Sequence, residues 1–220
     1  MKKVVLLPLK DPSQAKQRLA GQLSSGERRE LAWAMLEDVT QALHQAREPD
    51  QVVVASSCPL ILSYAEQNHW HVIPESNQIS ESHSVDRCCQ LLRESGVMTV
   101  LRIPGDIPLL QGEDLDRLFR YELNPPSAIL VPSRDGTGTN ALLRNPPDAF
   151  PSHFGENSLA LHQREARDHG VELQILSNSR ISLDLDELDD ILSFRELNED
   201  THTTAALERF ASLKRLSEIK

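Results

Sequence analysis

Val97-Met98-Thr99-Val100-Leu101-Arg102-Ile103-Pro104, running on into Gly105-Asp106, is the stretch that sets the fold class. It is nearly all apolar, with a single basic residue inside it, as expected of a strand covered on both faces. The Gly-Asp that follows puts a carboxylate at the strand's carboxyl end, which is where ligands bind in open α/β sheets. Asp106 is thus a candidate functional group, with a turn residue or helix cap as the plain alternative.

The same alternation of buried strand and amphipathic helix extends in both directions. Towards the N-terminus, Val4–Leu7, Gln51–Ser57 and Trp70–Pro74 read as strands. Ser24-Ser25-Gly26-Glu27 offers a capping box ahead of Leu31, Met35, Val39 and Leu43 at helical spacing. Pro59 opens a short helix, and Val85–Ser95 is a helix stopped by Gly96. Towards the C-terminus come a helix over 113–122, a strand Ala128–Pro132 and a small-residue loop from Arg134 to Asn140. A helix from Glu156 to His169 follows, capped by Gly170. Val171–Ser177 and Ile181–Leu183 read as strands, and 187–197 and 203–218 as closing helices. The pattern predicts an α/β fold: a single-domain, three-layer sandwich over residues 1–220 with a mainly parallel central sheet and a helical tail at about 200–220. In the tail, Leu207, Phe210, Leu213 and Leu216 recur three apart, a face that either packs back on the domain or meets a second copy in a homodimer.

Composition narrows the function classes. In a chain of 220 residues, 39% hydrophobic and only 4% aromatic, the core must be mainly aliphatic. No apolar run nears the roughly 20 residues that a bilayer span needs. The opening Met1-Lys2-Lys3-Val4-Val5-Leu6-Leu7-Pro8 is too short and too early broken by proline for a secretory leader, so a strand is expected there. A net charge of −10 argues against a nucleic-acid partner. Three cysteines (Cys58, Cys88 and Cys89) form neither a disulfide framework nor a zinc knuckle, which suits reduced thiols in a cytoplasm; Cys88 and Cys89 are expected as one core and one half-buried thiol.

Three groups of residues carry chemistry. Lys10, Lys16 and Arg18 follow the first strand, and three cations in an acidic chain suit a polyphosphate, although a solvated basic loop would look the same. The Gly-x-x-x-x-Gly-Lys and Gly-x-Gly-x-x-Gly fingerprints are both absent. Asp106, Asp184 and Asp186 sit at strand ends, where carboxylates hold Mg²⁺ well; Asp184 and Asp186 share a side if the strand continues through them, and Asp186 is alternatively a helix cap. Gly136-Thr137-Gly138-Thr139-Asn140 and His153-Phe154-Gly155-Glu156-Asn157-Ser158 bring backbone amides, hydroxyls and a helix start suited to an anion, or else two ordinary turns. No nucleophile elbow or triad is evident.

In order along the chain, these motifs resemble the guanylyltransferases of deazaflavin F420 biosynthesis, the CofC/FbiD family within the MobA-like nucleotidyltransferases. The matching stretches are Leu7-Pro8-Leu9-Lys10, Ala15-Lys16-Gln17-Arg18-Leu19, Met35-Leu36-Glu37-Asp38-Val39 and Gly105-Asp106-Ile107-Pro108-Leu109-Leu110. Asp135 to Leu142, Phe154 to Ser158 and Leu183-Asp184-Leu185-Asp186 complete the set. The resemblance implies a Mg²⁺-dependent, GT-A-like enzyme that transfers GMP from GTP to the phosphate of 2-phospho-L-lactate, phosphoenolpyruvate or 3-phospho-D-glycerate. Pyrophosphate leaves, and the product passes to the transferase that loads it onto Fo. By matched position, Asp106 with Asp184 or Asp186 would hold the metal, and Thr139, Asn140, Gly155 and Ser158 would surround the phosphocarboxylate. Lys10, Lys16 and Arg18 would meet the triphosphate beside Leu9. Where the family carries Gly-Leu-Asn, this chain reads Ser84-Val85-Asp86, so Asp86 would stand near the nucleotide with an added negative charge. A cytidylyl- or sugar-nucleotide transferase, or a non-catalytic nucleotide-binding module, are the other readings.

Overall fold

The computed structural model describes residues 2–77, 79–122 and 124–213. The first half alternates β1 (Lys3–Pro8), α1 (Ser25–Gln45), β2 (Gln51–Ser56), α2 (Pro59–Gln67), β3 (His71–Pro74), α3 (Glu81–Glu94) and β4 (Thr99–Arg102). The second half runs α4 (Gly112–Arg120), β5 (Ser127–Pro132), β6 (Thr139–Asn145), α5 (Ser158–Asp168), β7 (Glu172–Ile175), α6 (Ser179–Ser182), α7 (Leu188–Glu196) and α8 (His202–Arg209). Among the described residues the strands form one sheet in the order β3-β2-β1-β4-β6-β5-β7. β6 runs antiparallel to both of its neighbours, and the remaining pairs are parallel.

The apolar runs become strands because both of their faces are covered. Val5 and Leu7 pack with Leu36, Val39 and Leu115 on one side of the sheet, whereas Val4 and Leu6 pack with Val85, Cys88 and Leu92 on the other. Successive side chains point to opposite faces, so a doubly covered strand has no polar alternation to show. The capping box before α1 is present as read: Ser24 accepts from Glu27 N, and the Glu27 carboxylate accepts from Ser24 N. Cys88 and Cys89 are both fully buried rather than one of them half-buried, since α3 turns Cys89 against Arg144.

The structure departs from the sequence reading at two elements. Thr139–Asn145 is a strand, although the loop reading ended at Asn140 and no strand was expected after it. Ile181–Leu183 is not a strand; Ser179–Ser182 form one helical turn, started by the Asn178 side chain, which accepts from Arg180 N and Ile181 N. The chain beyond it is extended, and Leu183 and Leu185 turn into the core while Asp184 and Asp186 line the cleft, so the expected alternation holds without a ladder.

A second apolar cluster sits beneath that segment. Leu19, Leu31 and Met35 pack there with Leu183, Leu185 and Phe194, and the tail adds Leu207, Phe210 and Leu213. The tail therefore packs back on the chain. α8 reaches Arg209, residues 211–213 are helical again after a break at Phe210, and the rest of the expected helix, Leu216 included, lies outside the described residues. Asp38 anchors it, its carboxylate accepting from His202 N at 2.8 Å and Thr203 N at 3.0 Å, the first amides of α8. Charged caps of this kind stabilise by about 2 kcal/mol, and Asp38→Ala is expected to lower the unfolding free energy by about that amount in a urea titration. A loss under about 0.5 kcal/mol, the scatter of a neutral surface change, would show that the tail is held by its apolar face alone.

Candidate functional site

A cleft of about 860 Å³ opens at the carboxyl ends of β1 and β4, beside the start of β6. Each wall is made by a segment that leaves the sheet at this edge. After β1, the chain carries Leu9 and an exposed Lys10 to the rim, then turns at Lys16 with φ 55° and ψ 42°. A left-handed lysine is uncommon, and such conformations concentrate at functional sites. After β4, Pro104 and Gly105 deliver Asp106.

Lys16 joins these segments. Its side chain is 95% buried, going by the 5% left exposed, and its Nζ donates to Asp106 Oδ2 at 2.6 Å and Asp186 Oδ1 at 2.7 Å. Burial alone would lower the lysine pKa, but the two carboxylates outweigh it and hold the ammonium above its ordinary range. Asp106 is the mirror case: burial pushes its carboxyl up, yet Lys16, with Arg102 adding its charge, brings it below the ordinary value. Arg18 lies further out, its Nη1 3.8 Å from Asp186 and 3.6 Å from Glu187.

Asp184 has no such cation. Its hydrogen-bond donor is Asn140 Nδ2 at 3.0 Å, and burial, with the neighbouring charges of Asp106 and Asp186, lifts its pKa to about 6. The other hydrogen on that amide goes to Ile181 O at 2.9 Å. Both hydrogens of the Asn140 amide are thus committed, one of them to holding Asp184.

The opposite wall offers donors. The Ser133 hydroxyl accepts from Gly138 N at 2.7 Å, and a Cβ on Gly138 would stand 2.6 Å from Ser133 Oγ, so a side chain here would have to displace that hydroxyl. Gly155, at φ +117°, takes a conformation that L side chains rarely adopt. Ser158, the first residue of α5, is buried on the cleft wall with no hydrogen-bond partner for its hydroxyl among the described residues.

The cleft thus gathers Leu9, Lys10, Lys16, Arg18, Asp106, Thr139, Asn140, Gly155, Ser158, Asp184 and Asp186. Asp86 is the exception and does not line it. Its carboxylate accepts from Ser152 N at 3.0 Å and Ser152 Oγ at 2.6 Å and pairs with Arg144 at 3.3 Å. Arg144 is almost fully buried, and a buried guanidinium requires a counter-charge. The acid at position 86 supplies that counter-charge to Arg144.

Sequence reasoning missed Arg102. It is buried at the end of β4, lines the cleft, pairs with Glu81 and donates to Thr139 O and Asn140 O at 3.2 Å each. Its guanidinium stacks 4.1 Å from the centroid of Phe154. The one available signal was a lone arginine inside an otherwise apolar strand.

This arrangement of sheet and strand-end cleft is the nucleotidyltransferase fold. It is similar to a candidate nucleotide-diphospho-sugar transferase from Desulfovibrio desulfuricans G20, at 16% identity and TM-score 0.76, over 94% of this chain and 95% of that one. A nucleotidyl transferase from Methanothermobacter thermautotrophicus is similar at 15% identity and TM-score 0.61, over 89% and 97%. The chain belongs to the family described as guanylyl transferase CofC like, whose family model matches residues 3–214. It is 36% identical to the phosphoenolpyruvate guanylyltransferase of Conexibacter woesei, over 90% of this chain and 89% of that one. It is 30% identical to the 3-phospho-D-glycerate guanylyltransferase of Colwellia psychrerythraea, over 87% and 90%.

Asp184 gives a signed prediction. Its pKa of about 6 exceeds the ordinary value of 3.8, so the folded state holds the proton more tightly than the unfolded state. The stability this contributes is present below about pH 4 and is lost as pH rises through about 6, a change on the order of 3 kcal/mol. In chelator-treated protein, Asp184→Asn should match the parent at pH 4 and exceed it by about 2 to 3 kcal/mol at pH 8. A stability difference that stays constant across that range would refute the strained carboxylate.

Proposed function

We propose that the protein transfers GMP from GTP to the phosphate of a small phosphocarboxylate, releasing pyrophosphate, as a step towards coenzyme F420. The observation that carries the reading is the division of the cleft. Lys10, Lys16 and Arg18 with Asp106, Asp184 and Asp186 line one side, and Gly138, Gly155 and the Ser158 hydroxyl, which has no partner among the described residues, line the other beside Arg102. The first suits a triphosphate, the second a small anion. The relatives named as phosphoenolpyruvate, 3-phospho-D-glycerate and 2-phospho-L-lactate guanylyltransferases all pair a guanylyl group with such an anion.

The chemistry asks little of a general base. A phosphate nucleophile is already ionised near neutrality, so in-line attack on the α-phosphorus needs alignment and neutralised charge. Lys16, held by two carboxylates, is an ammonium of fixed position for the triphosphate, with Lys10 and Arg18 at the rim to draw it in. Ser158 and the amides of the Gly155 turn would orient the acceptor phosphate against it. The product then goes to the transferase that adds it to Fo.

The donor set fits Mg²⁺. Among the described residues no group of three or more His, Cys, Asp and Glu side chains is arranged as a metal cage. The fit is to a cation that takes one or two carboxylates and completes its shell with phosphate oxygens and water. Asp106 with Asp184 would hold it: Asp184 lies in the field of Asp106 and pairs with no cation among the described residues, whereas Asp186 has both Lys16 and Arg18 beside it. When bound, the ion supplies charge neutralisation at the phosphates.

Pyrophosphate release should be followed with GTP, Mg²⁺ and each of the three phosphocarboxylates offered separately. Release with one acceptor and none without it is expected, and Asp106→Asn should cost at least about 100-fold in turnover, the scale of losing one electrostatic group at the reacting phosphate. Release from CTP or UTP in preference to GTP would transfer the assignment to a cytidylyl- or sugar-nucleotide transferase. Nucleotide binding without release under any acceptor would end the enzyme reading.

A further inference from the structure

His162 lies on α5, outside every motif behind the functional reading, and is fully buried. Both ring nitrogens are engaged: Nε2 stands 2.9 Å from the backbone N of His153, and Nδ1 3.0 Å from Thr139 Oγ1. A backbone amide only donates, so Nε2 is the bare nitrogen, and a neutral imidazole then carries its hydrogen on Nδ1. That hydrogen goes to Thr139 Oγ1, which leaves the threonine's own hydroxyl hydrogen for another acceptor. Burial first, then the charges of Arg144, His153 and Arg102, hold the ring's pKa down at about 3, so this neutral form persists through the physiological range. The ring meets Phe154 edge-on, 5.1 Å between centroids.

The two partners belong to the two segments of the donor wall. Thr139 begins β6 and lines the cleft, and His153 leads into the Phe154–Ser158 turn. These segments are joined again where Leu159 N donates to Thr137 O at 3.0 Å. We propose that His162 is a positioning residue for the acceptor anion, fixing the spacing of Thr139 from the Gly155–Ser158 turn and committing the Thr139 hydroxyl to the role of donor. This rests on the reading of that wall as the acceptor subsite. An anion needs donors, and because the imidazole N–H points at the threonine oxygen, the hydroxyl's own hydrogen cannot go to His162 and is available for the anion.

The two arms separate experimentally, because an Asn amide reaches the Nδ1 position and a Gln amide the Nε2 position. His162→Gln loses the bond to Thr139, and His162→Asn loses the bond to His153. Each is expected to raise the acceptor KM about tenfold, the upper end for one neutral hydrogen bond, with the GTP KM unchanged. Adding His162→Gln to Thr139→Val should raise the acceptor KM no further, since that bond is already gone. An unchanged acceptor KM, both KM values rising together, or additive effects in the cycle would overturn the proposal. Long-range ¹H–¹⁵N spectra of the parent protein give a readout independent of turnover: Nδ1 protonated and Nε2 bare from about pH 6 to 8, where an unperturbed histidine titrates. A ring that titrates there, or carries its hydrogen on Nε2, would refute the tautomer. If the parent released no pyrophosphate with any acceptor while showing that tautomer, the failure would lie with the transferase reading, and the acceptor role would fall with it.

Discussion

The ammonium of Lys16 between Asp106 and Asp186 is the contact on which the cleft depends. It ties together the segment after β1, the segment after β4 and the stretch leading into α7, with Arg18 adding longer contacts to Asp186 and Glu187. An ammonium this far from water is costly unless it is paired and hydrogen-bonded, so the three chains are held to one geometry or the charge is stranded. The apolar cluster beneath supports them, with Leu19 fixing one segment and Leu183 and Leu185 another. The tail completes that cluster, and thus a helix remote from the cleft bears on the placement of its carboxylates.

Stability is not maximised at this edge. Asp184 is a half-buried carboxylate whose hydrogen-bond donor is an amide rather than a cation, and its neighbours Asp106 and Asp186 are like-charged. A folding optimum would place a neutral residue there, and departures of this kind concentrate where function needs them. The donor wall shows the same economy of local structure, with a glycine at φ +117° and a buried serine whose hydroxyl has no partner among the described residues. The two walls differ in character: Lys10, Lys16 and Arg18 among carboxylates on one, small residues with hydroxyls beside Arg102 on the other.

Much of this was legible in the sequence, for definite reasons. β1, β2 and β4 announce themselves because covering both faces leaves uninterrupted apolar runs, and α1 carries its capping box in plain view. The cleft motifs follow strand ends, where backbone geometry forces ligand sites in this architecture. What was hidden depends on partners distant in the chain. β6 contains Arg144 and Asn145, which break the apolar signal, and the reason an arginine can sit in a buried strand is Asp86, 58 positions away. That Asp86 serves Arg144 as a counter-charge could not be read from the sequence for the same reason. Arg102 and His162 are lone polar residues in apolar surroundings, and only the fold shows what they hold. Ile181–Leu183 looked like a strand because three residues are too few to distinguish a strand from a helical turn, and the Asn178 cap decided between them.

In the proposed function, the fixed charge of Lys16 forms part of a seat for a metal-bound guanosine triphosphate. Calorimetric titration of GTP, with and without Mg²⁺, into the parent protein and into Lys16→Met tests it directly, with the variant's far-UV circular dichroism as the check on folding. The account predicts binding that requires Mg²⁺, weakens steeply with salt, and falls by at least about tenfold in the variant, as loss of one charge-assisted contact implies. Equal affinity in the two proteins, or binding indifferent to Mg²⁺, would contradict it.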